Sequence, residues 1–300
     1  MRPMARLAAR LLLAVPTLVG VTLVTFAIAH LAPGDPVTFA AGTSPVTQRL
    51  ADENRRLVGL DRPLARRYGA WLARSATLDF GVSLTDGRSV RARIAEALPA
   101  TAKLGLLAAL LALLAAVPLG VAAAVGEGSA IGVALEVALS LAYGVPVLAL
   151  ALWMLAAGAP FGGGVAPAIC LAIPSAILLA RHQRSALLAV LGADYMTTAR
   201  AVGASPARAL LRHALPNALL PMVTLLGSQV PLLLSGSVLV ERIFGIAGLG
   251  TLGYDAVLAR DYPMLMGLAT LSAALAIAGV LVADGAALLV DPRLQGEGAR

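Results

Sequence analysis

Charged residues leave long gaps along this chain. Arg10 to Asp35 encloses 24 residues, Lys103 to Glu127 encloses 23, Arg212 to Glu241 encloses 28, Asp261 to Asp284 encloses 22, and 44 separate Glu136 from Arg181. About 20 apolar residues rising 1.5 Å each cross a roughly 30 Å hydrocarbon core, and a helix satisfies its own backbone where no water can. Every gap is therefore long enough to hold a membrane helix. The pattern predicts six spans: residues 11–31, about 102–125 (apolar from Leu104), 131–157, 165–181, 217–240 and 264–290. Gly158, Pro160 and the run Gly162-Gly163-Gly164 divide the third span from the fourth.

The remaining segments place the spans. Arg2, Arg6 and Arg10 precede the first, so residues 1–10 are expected in the cytoplasm. Its apolar stretch exceeds the 7 to 15 residues of a signal peptide core, and a retained helix is expected although Ala27-Ile28-Ala29 mimics a cleavage site. Residues 32–98 are polar, with ten Arg and seven acidic residues, and are read as extracytoplasmic; loops longer than about 60 residues escape the positive-inside rule. Helical spacing at 50–58 and 63–72 predicts short amphipathic helices there. The segment 182–216 is short and carries Arg184, Arg200, Arg208 and Arg212 against one acid, Asp194, which places it in the cytoplasm. A core of residues 99–293 and a cytoplasmic tail of 294–300 complete the division, with both termini inside.

Composition agrees with that reading. Hydrophobic residues make up 59% of the 300 and charged residues 13%, against roughly 25% charge in a soluble domain; the mean hydropathy is +0.86. The net charge of +7 is spread over loops flanking apolar segments, with few aromatics, so nucleic acid is not an expected partner. A single cysteine, Cys170, permits no disulfide framework and no Cys-rich metal site.

Candidate chemistry is sparse. A Walker A loop needs Gly-Lys-Ser/Thr, and the only lysine, Lys103, stands between Ala102 and Leu104, so ATP hydrolysis is not expected of this chain. Gly248-Leu249-Gly250-Thr251-Leu252-Gly253 copies a dinucleotide fingerprint without its βαβ setting, and turning or close packing is the better reading. His30, His182 and His213 show no ligand spacing, no Gly-x-Ser-x-Gly elbow occurs, and neither a metal nor a catalytic residue is expected. Glu136 and Asp284 lie in or near spans; they are read as interfacial or paired, with proton coupling as the alternative.

The segment 192–216 is the most informative. Asp194 is a good N-cap and Gly203 a good C′ residue for an eight-residue helix. Ser205 and Pro206 are the N-cap and N1 of a second helix, expected to run through Arg208, Arg212 and His213 until Pro216 ends it.

At these residues the sequence resembles the membrane subunits of ATP-binding-cassette importers, whose signature is Glu-Ala-Ala, three residues, Gly, nine residues, Ile-x-Leu-Pro. Thr197-Thr198-Ala199 occupies the triplet, Gly203 follows, and His213-Ala214-Leu215-Pro216 closes it. Asp194-Tyr195, Thr198-Ala199-Arg200-Ala201 and Asn217-Ala218-Leu219-Leu220-Pro221 are similar to the dipeptide, oligopeptide and nickel permease class. So are Leu31-Ala32-Pro33-Gly34-Asp35-Pro36, Gly59-Leu60-Asp61-Arg62-Pro63-Leu64, Asp79-Phe80-Gly81, Leu98-Pro99-Ala100-Thr101, Val240-Glu241-Arg242-Ile243-Phe244, Arg260-Asp261-Tyr262-Pro263 and Asp291-Pro292-Arg293. Glu136 and a short outer loop at Gly158 to Gly164 depart from the class.

The resemblance implies an all-α membrane protein with six transmembrane helices, a cytoplasmic coupling-helix loop and the type I importer permease fold, in a bacterial inner membrane. It implies that Asp194, Tyr195, Thr197, Thr198, Ala199, Arg200, Gly203, Leu215 and Pro216 form the ATPase-coupling loop. It further implies a second homologous permease, two ATPases that bind ATP and magnesium, and an extracytoplasmic solute-binding protein, with no cofactor in this chain. Peptides are the expected cargo and nickel or a metal chelate the alternative; a stand-alone ion-coupled transporter working through Glu136 or Asp284 is the alternative from another class.

Overall fold

The computed structural model describes residues 3–31, 63–158 and 164–290. The expectations for 50–58, for the outer loop at Gly158 to Gly164 beyond its two ends, and for the tail from Asp291 lie outside these residues, as does the side chain of Asp284. Helices follow in the order α1 (Pro3–Leu31), α2 (Leu64–Ser75), α3 (Val90–Val125), α4 (Ala130–Tyr143), α5 (Val147–Ala156), α6 (Val165–Leu191), α7 (Asp194–Ala201), α8 (Pro206–Arg208), a π-helical turn (Ala209–Ala214), α9 (Leu215–Ile243), α10 (Leu249–Leu258) and α11 (Tyr262–Val290). Among the described residues there is no strand, only an isolated bridge between Val82 and Ser89.

The chain divides into two compact units, 12–101 with 246–274, and 102–245 with the two terminal segments. In the first, Phe26 of α1, Trp71 of α2, Phe80, the α3 residues Val90, Ile94 and Ala97, Leu252 of α10 and Met264 of α11 bury a common core. Thr22 Oγ1 lies 2.9 Å from Tyr68 Oη, whose hydroxyl also donates to the Val19 carbonyl at 3.0 Å. Asp261 is buried. Its carboxylate accepts from the Ser83 hydroxyl and from Met264 N–H at 3.2 Å, and Arg93 Nη1 donates to Ser83 Oγ at 3.1 Å. The turn at 79–89 is thereby tied to the first turn of α11.

The second unit is built on small residues. Ala112 and Ala116 of α3 share a buried cluster with Ala172, Ala176, Leu179 and Ala180 of α6 and Met222 of α9. Residues four apart lie on one helix face. In hydrocarbon, where apolar burial drives little, such stripes let backbones approach for dispersion contact. The series continues to Gly120, where a Cβ would stand 2.7 Å from the Ala180 carbonyl oxygen.

Several helices depart from the expected boundaries. α3 begins at Val90 rather than near 102 and runs for 36 residues. Its early turns carry Arg91, Arg93 and Glu96, which reads as a loop by composition, yet Val90, Ile94, Ala97, Thr101 and Leu104 are buried at helical spacing. The segment expected as one span over 131–157 is two helices bent by 86°. Its cause is Gly144-Val145-Pro146: Pro146 has no N–H to donate and disfavours helical backbone at Val145. α6 continues ten residues past 181, because Gln183 and Leu187 prolong its buried face. The outer loop before α11 contains α10, whose Leu249 N–H donates to Thr101 Oγ1 at 2.7 Å. The Gly248–Gly253 motif is thus the start of a packed helix, with Gly248 and Gly250 buried.

Candidate functional site

Gly192 ends α6, and the chain turns at once into α7. Met196 N–H donates to the Ala193 carbonyl at 3.0 Å. Asp194 is the first helical residue, one position inside the N-cap place expected for it; a carboxylate in the first turn still meets the positive end of the helix dipole. The eight residues of α7 divide sharply by burial. Met196 is 0% exposed and packs with Ala124, Leu187, Ala209, Ala214 and Ala218. Asp194, Tyr195, Thr197 and Thr198 are exposed and Ala199 is half-buried. One apolar anchor therefore holds a helix whose other faces meet solvent.

α7 ends in a Schellman motif. Gly203 has φ +91, and Ala204 N–H donates back to the Ala199 carbonyl at 3.1 Å while Val202 N–H reaches Thr198 O at 3.1 Å. No atom lies within 4 Å of a Cβ built on Gly203, so glycine is required by the backbone angle and not by space. Ser205 then caps α8, its Oγ accepting from Arg208 N–H at 3.4 Å, with Pro206 at the first helical position. Val202, 85% exposed, and Tyr195, 45% exposed, give this protrusion apolar surface that nothing in the chain covers.

Pro216 does not end the second helix as expected. The helical path continues from Pro206 through the π-helical turn Ala209–Ala214 into α9, where Pro216 occupies the first turn. Proline cannot donate to a carbonyl one turn earlier, and the wider π turn accommodates that loss. Asn217 Nδ2 donates to the His213 carbonyl at 2.7 Å, satisfying an oxygen nearby. Leu215 is half-buried and Pro216 exposed. Of the candidate residues, Asp194 to Ala199 and Gly203 thus form one surface, while Leu215 and Pro216 belong to the root of α9; the side chain of Arg200 lies outside the described residues. Sequence reasoning missed Met196, a lone apolar residue in a polar helix, and the exposed Val202.

A charged group borders α6 elsewhere. Arg184 Nη2 is 2.6 Å from Glu127 Oε2 and 3.4 Å from Glu136 Oε2. Arg181 donates to Ser140 Oγ at 2.7 Å and lies 5.6 Å over the Tyr143 ring. Glu136 is therefore paired. Among the described residues no three His, Cys, Asp or Glu side chains gather where they could hold a metal ion.

Two family models cover the chain: the binding-protein-dependent transport system inner membrane component over residues 116–296, and the N-terminal domain of such membrane components over 4–105. The chain is 34% identical to the oligopeptide transport system permease protein AppB of Bacillus subtilis, over 95% of its own length and 98% of that relative. It is also 34% identical to the di/tripeptide transport system permease protein DppB of Pseudomonas aeruginosa, over 96% and 98%. Among solved structures, the MetNI methionine ABC transporter in inward-facing conformation shares the fold, with a TM-score of 0.58 at 21% identity over 66% of this chain and 96% of that one. The fold is that of type I importer permeases, all-helical with several helices long and apolar enough to span a membrane. With a capped two-helix protrusion on an apolar bundle, and matches over nearly its whole length, the chain belongs to the family of inner membrane components of binding-protein-dependent transport systems.

Proposed function

We propose that this chain is one of two homologous permease subunits of an ATP-driven importer of di- and oligopeptides. Two ATPase subunits, which bind ATP and magnesium, dock on the α7–α8 protrusion, and an extracytoplasmic binding protein delivers the cargo. Tyr195, Thr198, Ala199, Arg200 and Gly203 carry the coupling contact. Asp194 and Thr197 flank it, while Leu215 and Pro216 pass its movement into α9. Both termini lie in the cytoplasm, a reading supported by the arginines at 181–212 on the same side as the protrusion.

One observation carries the proposal: α7 is exposed on every face except that of Met196, and is held rigid by the Schellman turn at Gly203. A connecting loop needs no such construction, whereas a lever that takes up the motion of another subunit does. Peptide cargo is supported by the names of the relatives matched end to end.

The test is gentle purification of the tagged chain from native membranes with mass spectrometry of whatever accompanies it, followed by uptake assays on the reconstituted complex. Two ATPases, a second permease and a binding protein, together with ATP-dependent uptake of labelled peptide, are expected. A chain that purifies alone under conditions preserving related complexes overturns the proposal, and uptake of nickel without peptide overturns the cargo.

A further inference from the structure

Gln183 of α6 is 0% exposed, and neither its Oε1 nor its Nε2 has a hydrogen-bond partner. Its stem lies against Gly120 of α3, where a Cβ would meet Gln183 Cβ at 2.7 Å and Cγ at 2.8 Å. The clusters on either side, one with Ala116 and Ala180 and the other with Ala124 and Leu187, are entirely apolar. Neighbouring polar groups on α6 do find partners: Arg181 reaches Ser140, and Arg184 reaches Glu127. An amide with both polar atoms unpaired in apolar surroundings opposes the packing it takes part in. Methionine, of similar length and shape, would fill the same space without that penalty.

We propose that Gln183 is a positioning residue for the transport cycle. The α3–α6 contact at Gly120 separates in another conformational state, where the amide gains a neutral donor and acceptor from the aqueous pathway, either water or the main chain of a bound peptide. Unpaired here and paired there, Gln183 keeps the closed contact from becoming a trap. A lateral force on α6 can then open it, since α6 runs directly into the coupling helix through Gly192. This inference rests on the reading that the chain cycles with ATPase subunits.

The test uses the complex purified with its ATPases. Gln183→Met is expected to raise its melting temperature and to lower peptide uptake at least tenfold, which corresponds to about 1.4 kcal/mol in the balance between states. In a Cys170→Ala background, a cysteine at 183 is expected to react with a small water-soluble thiol reagent in only one of the nucleotide-free and ATP-trapped states. Protection of that thiol by saturating peptide assigns the partner as peptide, and reaction unaffected by peptide assigns it as water. Wild-type uptake by Gln183→Met with no gain in melting temperature overturns the inference, as does equal reactivity at 183 in both states. A wild-type complex without ATP-dependent uptake counts against the proposed function instead, while the melting comparison still judges the amide.

Discussion

Replacing Gly203 isolates the backbone contribution to coupling. At φ +91 a side chain is strained whatever the space around it, and the surroundings are open, so no steric contact confuses the result. An L-residue forced into the left-handed region costs roughly 1–2 kcal/mol, and a β-branched one more, because its second Cβ substituent meets the neighbouring peptide. Asparagine visits this region most readily of the non-glycine residues. The order of damage is therefore Asn, Ala, Val. For Gly203→Val about 2–3 kcal/mol is expected. That is enough to unwind the turn at Ala204 N–H to Ala199 O and release α7 from its fixed direction. Met196, buried beneath α7, keeps the variant folded and inserted. ATP-dependent uptake is measured in proteoliposomes at matched protein abundance, with binding-protein-stimulated ATPase activity followed in parallel. Gly203→Val is expected to abolish uptake and Gly203→Asn to retain most of it. Normal uptake by Gly203→Val would refute the reasoning, and equal damage from all three replacements would show that contact with a partner, not backbone strain, governs the site.

Four further outcomes follow from the structure. Thr198→Arg, at an exposed position, should block ATPase docking with the melting temperature unchanged; a variant that keeps its ATPases on purification counts against the docking surface. Met196→Ala removes a fully buried anchor and should destabilise by about 2–5 kcal/mol, read as a lower melting temperature of the complex. Asp261→Ala leaves Met264 N–H and the Ser83 hydroxyl without their acceptor, at roughly 1–3 kcal/mol each, and should raise proteolysis within 79–89. Asp86 has its pKa lowered, first by the backbone N–H of Arg88. A depressed carboxylate contributes stability above its unfolded pKa and loses it as pH falls through the folded value. The 79–89 turn should therefore weaken on acidification below the usual carboxylate range, and Asp86→Asn should flatten that dependence.

The protrusion was legible because caps are local. Asp194, Gly203, Ser205 and Pro206 mark helix ends by what each does to its own backbone, and α7 and the start of α8 follow directly. Other features depend on partners distant in sequence. The polar first turns of α3 look like loop until Val90, Ile94 and Ala97 are seen to share a core with Met264. Met196 has no local signal, since a single apolar residue in α7 says nothing of Leu187 and Ala218 beneath it. Pro216 misled because proline tolerates a helix's first turn as well as it ends one. The break at Pro146 was readable, but apolar composition across 131–157 outweighed one Gly-Val-Pro.

The π-helical turn at Ala209–Ala214 also fixes a phase. In an α-helix each residue advances about 100°, so a turn holding one residue more than the α-helical count rotates all that follows relative to all that precedes. The protrusion and the body of α9 are joined through that offset with no loop to absorb a change. A one-residue deletion between Ala209 and Ala214 would return the stretch to α geometry and swing the faces of α7 and α8 about 100° around the axis of α9, turning the Tyr195 surface away from any subunit it had met. Length at this junction is therefore as constrained as residue identity, and insertions or deletions between these residues are expected to be lethal to coupling while leaving every individual contact chemically intact.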